Sequence, residues 1–111
     1  MATLGIQQIA RAALNPTFTS ASGGGDDFLN DGKQFVVLKN TDASSRTVTF
    51  VTTFTVDGRA VEDLAIAVPA ATTIYVGPFK TTYYNDTNGK LGMTYSATTN
   101  LSLAILELSA T

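Results

Sequence analysis

The sequence predicts an all-β protein, folded as a single antiparallel β-sandwich with an N-terminal arm or short helix. From Val48 to Val56, apolar and threonine side chains alternate with period two, which is the pattern of a strand with one wet face. Turn-forming dipeptides such as Asp57-Gly58 separate short apolar runs, and we expect about six or seven strands. The 111 residues suffice for one domain, and the strand spacing is typical of a jelly-roll or immunoglobulin-like sandwich.

The chain divides by composition at residue 32. We interpret residues 1–32 as an N-terminal arm and connector, and residues 33–111 as the sandwich domain. Within the first part, Thr17 to Gly25 is rich in serine, threonine and glycine, which is the composition of a flexible connector.

The beginning of the chain fits two conformations. Leu4, Ile6 and Ile9 would share one face of a short helix, which Asn15-Pro16 would end. The same residues would equally form an extended arm that pairs with a neighbour. In either conformation, we expect residues 1–16 to contact a neighbouring subunit or the surface on which the protein assembles.

The later strands differ in how many of their faces are apolar. Gln34–Lys39 and Asn100–Leu108 are apolar on both faces, which predicts central strands or a protein contact. Arg46–Pro69 reads as a hairpin whose threonine face is wet, so we expect it at the periphery. Two further strands are predicted at Thr72–Val76 and Leu91–Ser96.

Charge is scarce in this sequence. Charged residues make up 14% of the chain, whereas serine and threonine together number 25. A hydroxyl-rich surface is cheaper to desolvate than a charged one and suits a protein that neighbours partly cover. Threonine also fits a pleated sheet for its own sake, so the composition alone leaves both explanations open.

Several partners and compartments are disfavoured by composition. The net charge is −2 without a basic run, so we expect no nucleic-acid partner. No apolar stretch approaches the roughly 20 residues of a membrane helix, and the start lacks the basic region of a signal peptide, so we expect no membrane partner. The absence of cysteine excludes disulfides and fits assembly inside a reducing cell.

The residue types for most catalytic chemistry are missing. The chain has no histidine or cysteine, so neither a Ser-His-Asp nor a Cys-His nucleophile can be built. A carboxylate pair such as Glu62 with Glu107 is conceivable, but the sequence does not bring the two together. Oxygen ligands cluster in Asp26–Asp31 and Asp86–Asn88 without the spacing of a calcium loop. We therefore expect no enzyme activity, no metal and no cofactor.

The aromatic residues after Gly77-Pro78 admit three roles. Phe79, Tyr83 and Tyr84 lie beside a turn, where they would close the core, anchor a protein interface or stack on sugar rings. Together with apolar residues from the first part of the chain, they form our set of candidate protein-contact residues. These candidates are Ile6, Ile9, Phe28, Phe79, Tyr83 and Tyr84.

Four stretches resemble small structural proteins of tailed bacteriophages. In order, these stretches are L-G-I-Q-Q-I-A-R-A-A-L-N-P-T at 4–17, F-L-N-D-G-K-Q-F-V-V-L-K-N at 28–40, the hairpin of Thr47–Asp63, and V-P-A-A-T-T-I-Y-V-G-P-F at 68–79. These motifs specify turns and strand ends, and none of them marks an active site. The family that they resemble includes capsid decoration proteins, also called cement proteins.

The resemblance implies a non-enzymatic virion protein. It implies a β-sandwich bound to the major capsid protein on the outside of the capsid, usually as a homotrimer, after assembly in the host cytoplasm. Two alternatives stay open: a tail or connector subunit, and a carbohydrate-binding adhesion module that would use the aromatic residues near Tyr83.

Overall fold

The protein is built mainly of short β-strands. The computed structural model describes residues 2–9, 13–53, 55–60 and 62–108. The strands in chain order are β1 (Ala2–Thr3), β2 (Ile6–Ile9), β3 (Thr19–Ser20), β4 (Asp26–Leu29), β5 (Phe35–Asn40), β6 (Arg46–Phe50), β7 (Thr55–Val56), β8 (Arg59–Ala60), β9 (Leu64–Val68), β10 (Thr72–Val76), β11 (Lys90–Tyr95) and β12 (Leu101–Leu108). A short helix, α1 (Thr81–Tyr84), lies between β10 and β11. In the described ranges, no helix is long and apolar enough to cross a membrane.

Apart from β7 and β8, the strands form two packed sheets, which confirms the predicted all-β sandwich. The first sheet has the order β1-β4-β11-β6-β9, and the second has the order β10-β5-β12-β2, with β3 also paired to β12. Between the sheets lies the main core, to which both contribute. Its fully buried members include Phe28, Val48, Phe50, Leu91 and Met93 from the first sheet and Val36, Leu38, Leu101, Leu103 and Ile105 from the second.

The two strands predicted to be central are central. β5 lies between β10 and β12, and β12 lies between β5 and the pair β2 and β3. Both faces of these strands are apolar because one packs on the core and the other carries a second, smaller cluster on the outside of the sheet. We call this outside surface the outer face of the second sheet.

The predicted hairpin is present and peripheral. β6 pairs antiparallel with β9, from Arg46 opposite Val68 to Phe50 opposite Leu64, and β9 is the last strand of its sheet. Past Phe50 the strand pattern continues in sequence, but the chain leaves β9. Its Val51 amide donates to the carbonyl of Gly92 instead. Beyond this point, β7 and β8 form a separate ribbon around Asp57-Gly58, where both residues have positive φ, as the dipeptide predicts.

The beginning of the chain is extended and paired within its own domain. β1 runs parallel to β4 in the first sheet, and β2 runs parallel to β12 in the second. Between them, Leu4 is only 9% exposed and belongs to the core. The described residues 2–9 therefore do not form the alternative helix, and they add two parallel pairs to a sandwich that we expected to be antiparallel. Contact between this segment and a neighbouring subunit stays a prediction.

Candidate protein-interaction surface

Two of the candidate contact residues lie inside the molecule. Phe28 is 0% exposed and Phe79 is 2% exposed. The Phe79 ring lies with its centroid 4.7 Å from that of Phe50, 5.4 Å from that of Tyr84 and 6.3 Å from that of Phe28. These rings close one end of the core, which is the first of the three roles predicted for the aromatic residues. Neither buried ring presents a surface to a partner or a sugar.

The other four candidates are half-buried. Ile6 and Tyr84 pack against the main core, and Ile9 packs against the cluster on the outer face of the second sheet. The ammonium group of Lys80 lies 5.3 Å from the centre of the Tyr83 ring. The six candidates are thus spread over the core, the outer face and the region of α1, and the fold does not gather them into one patch.

The segment that contains Leu14 and Phe18 covers part of the outer face of the second sheet. Val37, Ala104 and Leu106 are buried there, with Leu14 and Phe18 packed against them. This segment thereby supplies, from within the chain, part of the cover that the doubly apolar strands require.

The covering segment is fixed by contacts near its end. The side-chain amide of Gln7 donates to the Thr17 carbonyl at 2.8 Å, and its side-chain oxygen accepts from the Thr17 amide at 2.9 Å. The Lys39 ammonium lies 5.3 Å from the centre of the Phe18 ring, within the range of a cation–π contact.

Another part of the outer face forms an open apolar groove. The groove has a volume of about 460 Å³ and is lined mainly by Phe35, Tyr75, Val76, Pro78 and Leu108, with Lys33 as the charged residue in its lining. Tyr75 is 70% exposed and Leu108 is 68% exposed. Among the other large apolar side chains of the described residues, Leu29 is also exposed, at 54%. Exposed apolar side chains of this size that lie together are typical of protein-interaction sites.

The wall of the groove needs a glycine. Gly77 has a φ of 135°, and a Cβ added to it would lie 2.9 Å from the Cβ of Phe35. A side chain at this position would therefore collide with the first residue of β5. The close approach holds the chain after β10 against the outer face, where Pro78 forms the rim of the groove.

Among the described strands, the longest open edges lie at β9 and β10. Each has five residues and ends its sheet, whereas β1 and β3 have two residues each and β2 has four. From Leu64 to Phe79, which spans both strands and their connection, the sequence holds no charged residue. Natural proteins commonly protect such edges with charges, proline or bulges, and neither five-residue strand contains a charge or a proline.

The carboxylates considered as calcium ligands serve other purposes. Asp31 accepts from the Lys33 amide at 3.1 Å, and Asp86 accepts from the Asn88 and Lys90 amides at 2.8 and 3.0 Å. These bonds are ordinary turn chemistry. Within the described ranges, no group of three or more acidic residues is arranged to hold a metal ion.

The acids Asp26 and Glu107 are tied to neighbouring side chains. Asp26 is fully buried and accepts from the Tyr95 hydroxyl at 2.7 Å. Glu107 accepts from the side-chain amides of Gln34 at 3.1 Å and Gln8 at 3.4 Å. Both carboxylates therefore link strands of their own sandwich.

Three buried amide side chains hold the ends of the sandwich together, a role that was not predicted from the sequence for any of them. Asn30 is 4% exposed, and its amide donates to Phe79 and Asn85. Gln34 and Asn40 are 2% and 1% exposed. Gln34 directly precedes β5 and Asn40 is its last residue, so an amide at the end of a central strand was the available signal for these two. Asn30 follows the short strand β4, where the sequence offered no such signal.

Comparison of the chain with protein-family models, with curated proteins and with solved structures finds no match.

Proposed function

We propose that the protein is a non-enzymatic structural subunit of a tailed-bacteriophage virion, most specifically a decoration or cement protein. In this role it binds the major capsid protein on the outside of the capsid and stabilises the shell, after assembly in the host cytoplasm. Neither nucleic acid nor a membrane takes part, and the protein associates with itself, as the resemblance to trimeric decoration proteins implies. The assignment of the sandwich to the jelly-roll or the immunoglobulin-like type belongs to the same proposal.

The observation that carries the proposal is the apolar groove on the outer face of the second sheet. Tyr75 and Leu108 leave most of their surface in solvent, and Lys33 is the one charged residue among the described residues that line the groove. Covering such a surface removes apolar area from water without desolvating many charges, so it favours a large protein partner. The resemblance of the motifs to phage structural proteins supports the capsid shell as that partner.

A reconstitution experiment tests this function. Capsids that lack the protein are mixed with purified wild-type protein, with Leu108→Lys or with Leu29→Lys, and bound protein is measured by sedimentation. Leu108→Lys places a charge in the groove, so we expect its binding to fall by about tenfold or more. Leu29 is 54% exposed on the first sheet and serves as the matched control, which should bind like the wild type.

Shell stability provides the second measurement. Capsids that carry the wild-type protein should resist heating better than bare capsids, and capsids treated with Leu108→Lys should resemble bare ones. If the wild-type protein does not bind, and bare capsids are as heat-stable as complete ones, the proposal is wrong. Electron microscopy that places the protein on the tail or connector would favour the alternative virion location.

A further inference from the structure

Among the described strands, none pairs with the free side of β10, and this open edge has the composition of a strand that pairs. Its residues, T-T-I-Y-V, are all β-branched or aromatic, and its free side belongs to the sheet that carries the apolar groove. Such residues favour strand pairing, and short uncharged segments of this kind aggregate when an edge leaves them open. An edge of this kind is therefore expected to be closed by a specific partner.

The edge of β9 is a weaker candidate for the same role. Its outward residues are Ala65 and Ala67, whereas β10 presents Thr73 and Tyr75, which offer larger cross-strand contacts. Tyr75 and Val76 also line the apolar groove, so pairing at β10 is continuous with the most apolar part of the surface.

We infer that β10 pairs antiparallel with β10 of a second copy about a two-fold axis at Ile74. In this register Thr72 of one copy faces Val76 of the other, and Thr73 faces Tyr75. No charged side chain lies within the strand, so the pairing brings no like charges together. The second sheet of one copy then joins the second sheet of the other copy, which gives one sheet of eight main strands. Open sheets commonly reach this size. A two-fold pair uses the β10 edges of both copies at once, so neither β10 edge is left open for further growth.

The pairing concerns the protein without a capsid, and it therefore goes beyond the proposed function. A dimer also differs from the trimer that the resemblance implies, since a two-fold pairing of one edge closes at two copies. The mass of the free protein therefore distinguishes the two, whether or not the protein binds a shell.

Charge substitutions on β10 test the pairing and its register. Native mass spectrometry and sedimentation are applied to the wild type, to T73K/Y75K and to T73E/Y75K. In T73K/Y75K, the lysine at position 73 of each copy faces the lysine at position 75 of the other copy. Because these two pairs repel, we expect the dissociation constant of the dimer to rise by roughly thirtyfold. The second sets a glutamate at position 73 against a lysine at position 75 of the other copy, and it should restore the dissociation constant to within about tenfold of the wild-type value.

A matched variant on the other edge completes the test. A65K/A67K places the same charges on exposed positions of β9, and it should leave the dimer intact. Circular dichroism confirms that each variant is folded. The inference is overturned by a wild type that stays monomeric at about 100 µM, by a dimer or trimer that T73K/Y75K leaves unchanged, by a dimer that A65K/A67K alone dissociates, or by a T73E/Y75K variant as weak as the lysine pair.

Discussion

At the scale of single residues, Asn40 shows how one buried amide closes an end of the sandwich. Its side-chain nitrogen lies 2.9 Å from the Ser44 carbonyl, 3.2 Å from that of Val68 and 3.3 Å from that of Pro69. Its side-chain oxygen accepts from the Asp42 amide at 3.0 Å. Because Val68 ends a strand of the opposite sheet, the side chain of Asn40 links both sheets and the polar loop between β5 and β6.

Replacing Asn40 separates the hydrogen bonds from the volume that the side chain fills. Asn40→Asp keeps the volume but turns a carboxylate oxygen toward the backbone carbonyls, so we expect the free energy of unfolding to fall by about 3 kcal/mol at neutral pH. Urea unfolding measures the change. Asn88→Asp, at an exposed position, should change it by less than about 0.5 kcal/mol. Equal effects of the two substitutions would show that the buried bonds contribute little.

Tyr95 gives the stability of the protein a dependence on alkaline pH. Burial of the phenol raises its pKa far above the ordinary value, and its hydrogen bond to Asp26 and the negative charge of that residue act in the same direction. The folded protein thus keeps the Tyr95 proton at a pH where the unfolded chain, with a pKa of about 10, has lost it. This contribution to stability is fully present below about pH 10 and declines as the pH rises further.

The comparison of wild type with Tyr95→Phe tests the alkaline decline. The difference between their free energies of unfolding should shrink by about 1.4 kcal/mol for each pH unit above 10, because phenylalanine has no proton to lose. Chemical unfolding at about pH 8, 10 and 11 provides the measurement. Tyr75→Phe, at an exposed position that leaves Tyr95 in place, should retain the decline. A difference that stays constant across this range would contradict the assigned cause.

At the scale of elements, residues 2–9 connect the two sheets of the sandwich. β1 pairs with the first sheet and β2 pairs with the second, and Leu4 lies in the core between them. The Leu4 amide also donates to the Asp27 carbonyl at 2.8 Å. A segment that contributes to both sheets supports the fold directly, whatever else it contacts.

Removing contacts of this N-terminal segment should therefore lower the stability of the domain itself. Leu4→Ala leaves a cavity in the core, and we expect the free energy of unfolding to fall by about 2–3 kcal/mol. Deletion of residues 1–9, which also removes β1 and β2, should cost more. Denaturant unfolding measures both, with Leu29→Ala as the exposed control, expected to cost less than about 1 kcal/mol. A truncated domain as stable as the full chain would show that the segment is a detachable arm.

At the scale of the whole molecule, the sequence predicts most of the strands after residue 33 and few of those before it. Two-faced apolar runs identified β5 and β12 as central, and alternation with Asp57-Gly58 identified the β6–β9 hairpin. Long strands carry a clear period, whereas β1 and β3 have two residues each, too few for any period to show. Their pairing depends on tertiary contacts that no local pattern encodes.

The apolar groove was hidden from the sequence for a related reason. Phe35, Tyr75 and Leu108 come from three strands that are far apart along the chain, and each looked like an ordinary strand residue. Only the order β10-β5-β12 places them together, and the positions of Leu14 and Phe18 decide which part of the outer face is covered. Conversely, the aromatic cluster around Phe79 was visible in sequence but lies in the core.

The parallel pairing of β2 with β12 has a mechanical consequence. Ile6 to Ile9 lie beside Ile105 to Leu108, and both strands run in the same direction. Tension that pulls the chain before β2 and the chain after β12 in opposite directions slides the two strands along each other. The hydrogen bonds between parallel strands are evenly spaced, so they stretch together instead of opening one at a time. The sandwich therefore meets such a force in shear, with the hydrogen bonds of this pair loaded together.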